Sequence, residues 1–235
     1  MPLNAYRELL STNRRLLGFG FVTALYSSFG QTYFIGIIGP HIQLEFGLSH
    51  TLWGMVYMIG TIGSAALLPW TGGLIDRFVL RRYTLAACLL LIVAWAYIST
   101  TTGPVTLVFA IFLLRHAGQG LISHISIPRM ARYFDRERGR AIAFASLGFT
   151  VGEAILPIIA VSAIALIGWR WTYGAAAVLV GLTVIPTVIW LLKRHDTVPS
   201  RAIEVSKTAN HTAQCTIRSW TPNDVLNTYH FSCLI

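Results

Sequence analysis

The chain has 235 residues, of which 54% are hydrophobic and only 11% are charged. A soluble domain carries about 25% charged residues, and so few charges could not cover this much apolar surface. The same composition excludes intrinsic disorder. The three cysteines exclude a disulfide scaffold, because Cys88 falls in an apolar run and Cys215 and Cys233 show no pairing or metal-binding motif. The composition therefore indicates an integral membrane protein with no implied cofactor.

Six apolar runs are long enough to cross a bilayer, which takes about 20 apolar residues. They cover about residues 16–39, 51–71, 83–100, 104–126, 141–167 and 171–192. The first run is too long for a signal-peptide core and no small-residue cleavage site follows it, so we predict a retained first span. Residues 1–15 precede the spans, and the mostly polar residues 195–235 contain no seventh. We therefore predict an all-α fold with six transmembrane helices between residues 16 and 194.

The net charge is +9, from 18 Lys and Arg against 9 Asp and Glu. Between the runs, 16 of the basic residues fall on one side of the bilayer and only Arg170 on the other, while Arg115 lies inside a run. Because basic loops stay in the cytoplasm, we expect both termini to be cytoplasmic, in a plasma or inner membrane. This placement explains the charge without a nucleic-acid partner. The 16 residues are Arg7, Arg14, Arg15, Arg77, Arg81, Arg82, Arg129, Arg132, Arg136, Arg138, Arg140, Lys193, Arg194, Arg201, Lys207 and Arg218.

Tryptophans near the ends of the runs are expected to mark the two membrane interfaces. Indole rings concentrate where the hydrocarbon core meets the headgroups. On the orientation above, the outer belt would contain Trp53, Trp95, Trp169 and Trp171, and the inner belt Trp70 and Trp190.

The loop after the second run carries the strongest motif in the chain. It begins at Gly72, continues through Asp76 and Arg77, and ends at the basic pair Arg81 and Arg82. This pattern resembles the loop signature of the major facilitator superfamily, where the loop latches the outward-facing state. Gly72 would allow a close helix approach, and Asp76 would pair with an arginine or face a helix N-terminus. The family usually has glycine where Val79 stands, so this loop departs from the signature at the turn.

A second segment, 132–141, resembles the family's loop between helices four and five. Its acidic and basic residues alternate, so it could form a weak charge network with Asp76 and Arg77. The gating residues predicted in this segment are Arg132, Arg136 and Glu137. Together the two motifs imply the amino-terminal half of a twelve-helix carrier, over about residues 10–195.

Only two charged residues lie deep inside the runs, Arg115 in the fourth and Glu153 in the fifth. A charge at the bilayer centre costs at least roughly 2.5–3.5 kcal/mol, so such residues face a cavity or a partner. We expect them to form one midplane site, by direct pairing or through water or substrate. The guanidinium of Arg115 suits a carboxylate ligand, and Glu153 is the candidate proton carrier. A purely structural pair is the alternative.

The resemblance to the superfamily adds candidate ligands. Arg115 and Gln119 are similar to a fourth-helix motif of arginine, two residues and glutamine, with one extra residue here. First helices line the cavity in this family, which implicates Tyr26, Gln31 and Tyr33. His116 is a further candidate, as a proton relay.

Span five carries Gly148, Gly152 and Pro157, similar to a fifth-helix motif of the family. Glycines four residues apart favour close helix packing. We expect a structural role for this segment rather than ligand contact.

The resemblance implies transport of a small solute, plausibly an organic anion, by alternating access with proton coupling. A protein of half the family's length implies a truncated product, or a half-carrier that pairs with a second copy or a partner. The alternatives are a non-transporting fragment and a membrane scaffold. Enzymatic activity is not expected, because neither a Gly-x-Ser-Gly nucleophile with a span-six histidine nor a metal or phosphate motif is present.

Overall fold

The computed structural model describes residues 13–134 and 137–193. Six helices in this part of the chain are long and apolar enough to cross a membrane, which confirms the predicted all-α, six-span fold. We refer to them as spans 1 to 6. Their bounds are Arg14–Phe46, His50–Gly73, Leu80–Ser99, Pro104–Tyr133, Arg138–Ile167 and Trp169–Leu192. Span 1 is longer at its C-terminal end than the sequence predicted.

The spans pack mainly in four pairs: span 1 with span 5, span 1 with span 4, span 2 with span 4, and span 3 with span 6. The predicted close packing of span 5 is confirmed. A Cβ added at Gly148 would overlap the carbonyl of Phe21, and one added at Gly152 would overlap the hydroxyl of Ser28. The two glycines therefore let span 5 lie directly against the backbone of span 1.

Spans 1 and 4 are both irregular at the level where they cross. Span 1 changes from α-helix to a 3-10 turn at Ser28–Gly30, and Gln31 is extended before the helix resumes at Thr32. Span 4 adopts a π-helical segment at Arg115–Ile122. Such segments occur frequently at functional sites.

Two glycines bring these irregular segments into backbone contact. A Cβ added at Gly118 would lie 2.6 Å from the Cα of Gly30, closer than real Cβ atoms approach. The Ser27 hydroxyl donates to the carbonyl of Gly118 at 2.9 Å, and the Ser126 hydroxyl donates to the carbonyl of Gly20 at 2.8 Å. Because both serines are fully buried, these bonds fix the register of span 4 on span 1.

An aromatic cluster joins spans 1, 3 and 6. The ring of Trp95 stacks on Tyr173 with centroids 4.8 Å apart and on Phe34 at 5.4 Å, and it meets the edge of Phe29 at 4.9 Å. Trp95 is only 1% exposed. The prediction that Trp95 belongs to an interfacial belt is therefore wrong, because its spacing along span 3 turns it inward to the bundle core.

A salt bridge fastens the ends of spans 1 and 6. Arg170 Nε donates to Glu45 at 2.9 Å, and its two terminal nitrogens donate to the carbonyls of Ser99 and Thr101 at 2.8 and 2.6 Å. The indole of Trp169 donates to the other oxygen of Glu45 at 2.6 Å. Arg170, which the sequence suggested only as a topological marker, thus joins spans 1 and 6 to the loop between spans 3 and 4.

The substitution Gly118→Ala tests the contact between spans 1 and 4. The new methyl group would require the backbones to separate, and overpacking of this kind costs about 1–3 kcal/mol. We expect a clearly lower thermal midpoint of the purified protein, followed by tryptophan fluorescence. The matched control is Gly36→Ala, since nothing lies within 4 Å of a Cβ at Gly36. Equal midpoints for the two variants would contradict the contact.

Candidate functional site

Arg115 is the first residue of the π-helical segment, and it reaches across to spans 1 and 2. Its guanidinium donates to the hydroxyl of Thr32 at 2.9 Å. It also lies over the ring of Tyr57, with 5.6 Å from Cζ to the ring centre. The Tyr57 hydroxyl donates to the same Thr32 oxygen at 3.0 Å. Three spans thus hold one half-buried cation in place.

The cation of this cluster has no anionic partner within the described part of the chain. Among the described residues, no carboxylate lies within ion-pair distance of Arg115. A guanidinium has five N–H donors, and the hydrogen bond to Thr32 uses one of them. The remaining donors suit a carboxylate or phosphate, which can accept two parallel bonds.

Glu153 does not pair with Arg115. It is exposed on span 5, and its carboxylate interacts electrostatically with Tyr33, the residue after Thr32. Arg115 donates instead to Thr32 of span 1, and no ion pair joins Arg115 to Glu153 in the described part of the chain. The direct pairing considered from the sequence is therefore wrong. Linkage through water or substrate stays a prediction.

The break in span 1 also organises the other predicted ligands. The Tyr33 hydroxyl lies beside Ser28, whose own hydroxyl faces Gly152. Gln31 is the extended, half-buried residue of the break. Gln119 is also half-buried, and its backbone nitrogen lies against Gly30. All of these residues lie where spans 1, 4 and 5 meet.

Tyr26 faces elsewhere. Its hydroxyl donates to Thr183 on span 6 at 2.8 Å, and its ring packs near Phe29 with centroids 5.9 Å apart. The structure therefore does not bring Tyr26 to Arg115 or Glu153, and it gives this tyrosine a contact between spans 1 and 6.

The first gating loop is a short 3-10 turn, Leu74–Asp76, after span 2. The close helix approach expected at Gly72 is absent from the described part of the chain, where a Cβ there would meet only Leu68 of its own helix, at 3.9 Å. Val79 is extended, with φ −59° and ψ 128°, so the turn does not need the family's glycine. Arg77 and Arg82 are exposed at the end of this loop and the start of span 3, and Arg81 is half-buried.

The second gating loop makes a local ion pair. Glu137 accepts from Arg140 at 3.0 Å, three residues further along the chain. Arg129 near the end of span 4 donates to the carbonyl of Ile75 in the loop after span 2, at 3.4 Å. Arg132 is exposed, and Arg136 lies outside the described residues.

Thr32 is a residue of the candidate site that the sequence did not reveal. A lone threonine in an apolar run carries no signal, and only the break before it places its hydroxyl between Arg115 and Tyr57. Metal binding has no support in the described segments, which contain no cluster of three His, Cys, Asp or Glu residues.

The six-helix arrangement defines a multi-pass membrane protein. The sequence profile of the Major Facilitator Superfamily matches residues 20–232. The chain therefore belongs to this superfamily of membrane transporters. A search among curated proteins gives no match.

Proposed function

We propose that this protein carries a small organic anion across the membrane by alternating access, coupled to protons. The observation that supports the proposal is the half-buried Arg115, which Thr32 and Tyr57 hold and which has no carboxylate partner among residues 13–134 and 137–193. A desolvated cation without a counter-ion is costly, and a bound anion would offset that cost. We propose Gln119, Gln31 and Tyr33, which lie at the same level, as neighbouring contacts.

Proton coupling follows from the charge that the substrate would carry. Moving one charge against the membrane potential costs about 2.3 kcal/mol per 100 mV. A proton that travels with each monoanion makes the step electroneutral. Glu153 is the proposed proton carrier, because its carboxylate interacts electrostatically with Tyr33 while Arg115 donates to the neighbouring Thr32.

A second six-helix unit would complete the transport path in this proposal. Spans 2 and 5 are the least covered, with 17% of their apolar windows buried. Large apolar side chains on them are exposed, including Met58, Ile62, Ile155 and Ile158. In a bilayer such faces contact either lipid tails or another helical unit. We propose that they contact a second copy or a partner half, with both termini cytoplasmic. A non-transporting scaffold is the alternative.

The anion site is tested by thermal stabilisation of the purified chain with lactate, succinate and benzoate, each against its neutral amide. We expect at least one carboxylate to stabilise the protein and its amide to have no effect. Arg115→Gln should weaken that binding about tenfold to a hundredfold, because a charged hydrogen bond is worth about 1.5–3 kcal/mol. Arg115→Lys should weaken carboxylate binding less than Arg115→Gln does. The control is Arg14→Gln, an exposed arginine on span 1. Retention of binding in Arg115→Gln would rule out this site.

Proton coupling is tested in proteoliposomes with the carboxylate that binds. Glu153→Gln mimics a permanently protonated carrier, so a pH gradient should no longer drive net uptake, while exchange of labelled for unlabelled anion should continue. A variant that still concentrates the anion in response to the gradient would refute the role of Glu153.

The assembly is tested by measuring the protein's mass in lipid nanodiscs. We expect twice the chain mass of 26.0 kDa, since two copies can cover each other's apolar spans. The double substitution Ile62→Lys and Ile158→Lys should shift the population to the monomer, because charge on a dehydrated interface opposes association. A wild-type mass of one chain at all protein concentrations would exclude the homodimer.

A further inference from the structure

A cavity of about 670 Å³ lies between spans 2, 3 and 4, and Arg115 is not among its lining residues. This volume is in the range of established ligand pockets. Its wall includes Leu67 and Thr71 of span 2, Phe78 of the loop that follows, Arg82 and Leu90 of span 3, and His116 of span 4. The anion site proposed above does not use this space.

The cavity wall suits hydrocarbon rather than a polar solute. Two polar contacts are made within the wall: Thr71 Oγ1 lies 3.2 Å from His116 Nε2, and Tyr83 donates to the carbonyl of Thr71 at 3.0 Å. Nδ1 of His116 has no hydrogen-bond partner among the described residues, but most of the lining is apolar, so a polar ligand would lose its hydration here for few new partners. Leu67 and Phe78 are 39% and 52% exposed, so the wall is open to the surroundings of the bundle.

The dimensions of the cavity match one leaflet of a bilayer. The wall extends along span 3 from Arg82 to Leu90, eight residues or about 12 Å of helix. Half of the hydrocarbon core is about 15 Å thick. Arg82 is exposed, two residues from the start of span 3, where a long basic side chain reaches the headgroups. It has no hydrogen bond or ion pair with any residue that the structure describes.

We infer that this cavity binds one acyl chain of an anionic phospholipid. The lipid belongs to the leaflet at the loop between spans 2 and 3, and its phosphate pairs with Arg82. A guanidinium binds phosphate oxygens through two parallel hydrogen bonds, so the positive Arg82 complements the negative headgroup. The acyl chain packs against the apolar wall. Because Leu74 and Phe78 also line the cavity, the bound lipid packs against the first gating loop.

Native mass spectrometry of the purified chain tests the inference, with phosphatidylglycerol, phosphatidylcholine and oleate as separate probes. We expect phosphatidylglycerol to bind about fivefold more tightly than phosphatidylcholine, from one basic residue at the membrane surface. Arg82→Gln should remove that preference and Arg82→Lys should keep part of it. Arg14→Gln, an exposed arginine outside the cavity, should leave it unchanged.

A second pair of variants tests the cavity itself. Ala86→Phe fills the cavity, since Ala86 lines it, and should abolish tight binding of one phosphatidylglycerol. Ala96 is exposed on the same span but does not line the cavity, so Ala96→Phe should leave this binding intact. All variants are first checked for wild-type helical content and elution volume, so that loss of binding reports the site. The inference would be overturned if Ala86→Phe bound phosphatidylglycerol as tightly as the wild type does. It would also be overturned if Arg82→Gln and Arg14→Gln lost the preference for phosphatidylglycerol to the same extent. Displacement of phosphatidylglycerol by equimolar oleate would also overturn it.

Discussion

The contact between Gly30 and Gly118 is the constraint on which the rest of the structure depends. Two irregular backbone segments meet there at a distance that no side chain would allow, and the Ser27 hydroxyl holds them together. Because span 1 breaks at this point, the helix that resumes presents Thr32 to Arg115 and Tyr33 to Glu153. Polar backbone groups in a membrane must find partners inside the protein, so a break here is stable only when the neighbouring span is packed closely against it.

The two ends of the bundle are held by different contacts. At one end Arg170 binds Glu45 and two carbonyls, while the cluster around Trp95 packs three spans together. At the other end the described contacts include the hydrogen bond from Arg129 to Ile75 and the half-buried ion pair of Glu137 and Arg140.

Arg115 and Arg82 lie in different surroundings, and the ligands proposed for them differ accordingly. Arg115 is half-buried, and a hydroxyl and an aromatic ring position it. A guanidinium held in this way would select a small anion by geometry. Arg82 is exposed at the edge of an apolar cavity, which would favour a ligand with a long chain and an anionic head. In the proposed mechanism Glu153 is not paired with Arg115, so a proton and an anion would bind without competing for one ion pair.

The sequence by itself determined the class, the six spans, the family and the two intramembrane charges, because each depends on local composition or on a short motif. Gly148 and Gly152 were also predictable as packing sites, because residues four apart lie on the same face of a helix. Only the tertiary structure decided that Trp95 is buried, that Tyr26 bonds to span 6, and that Glu153 does not pair with Arg115. Those outcomes depend on helix rotation and on the break at Ser28–Gly30. Both follow from contacts between residues far apart in the chain, which no local pattern records.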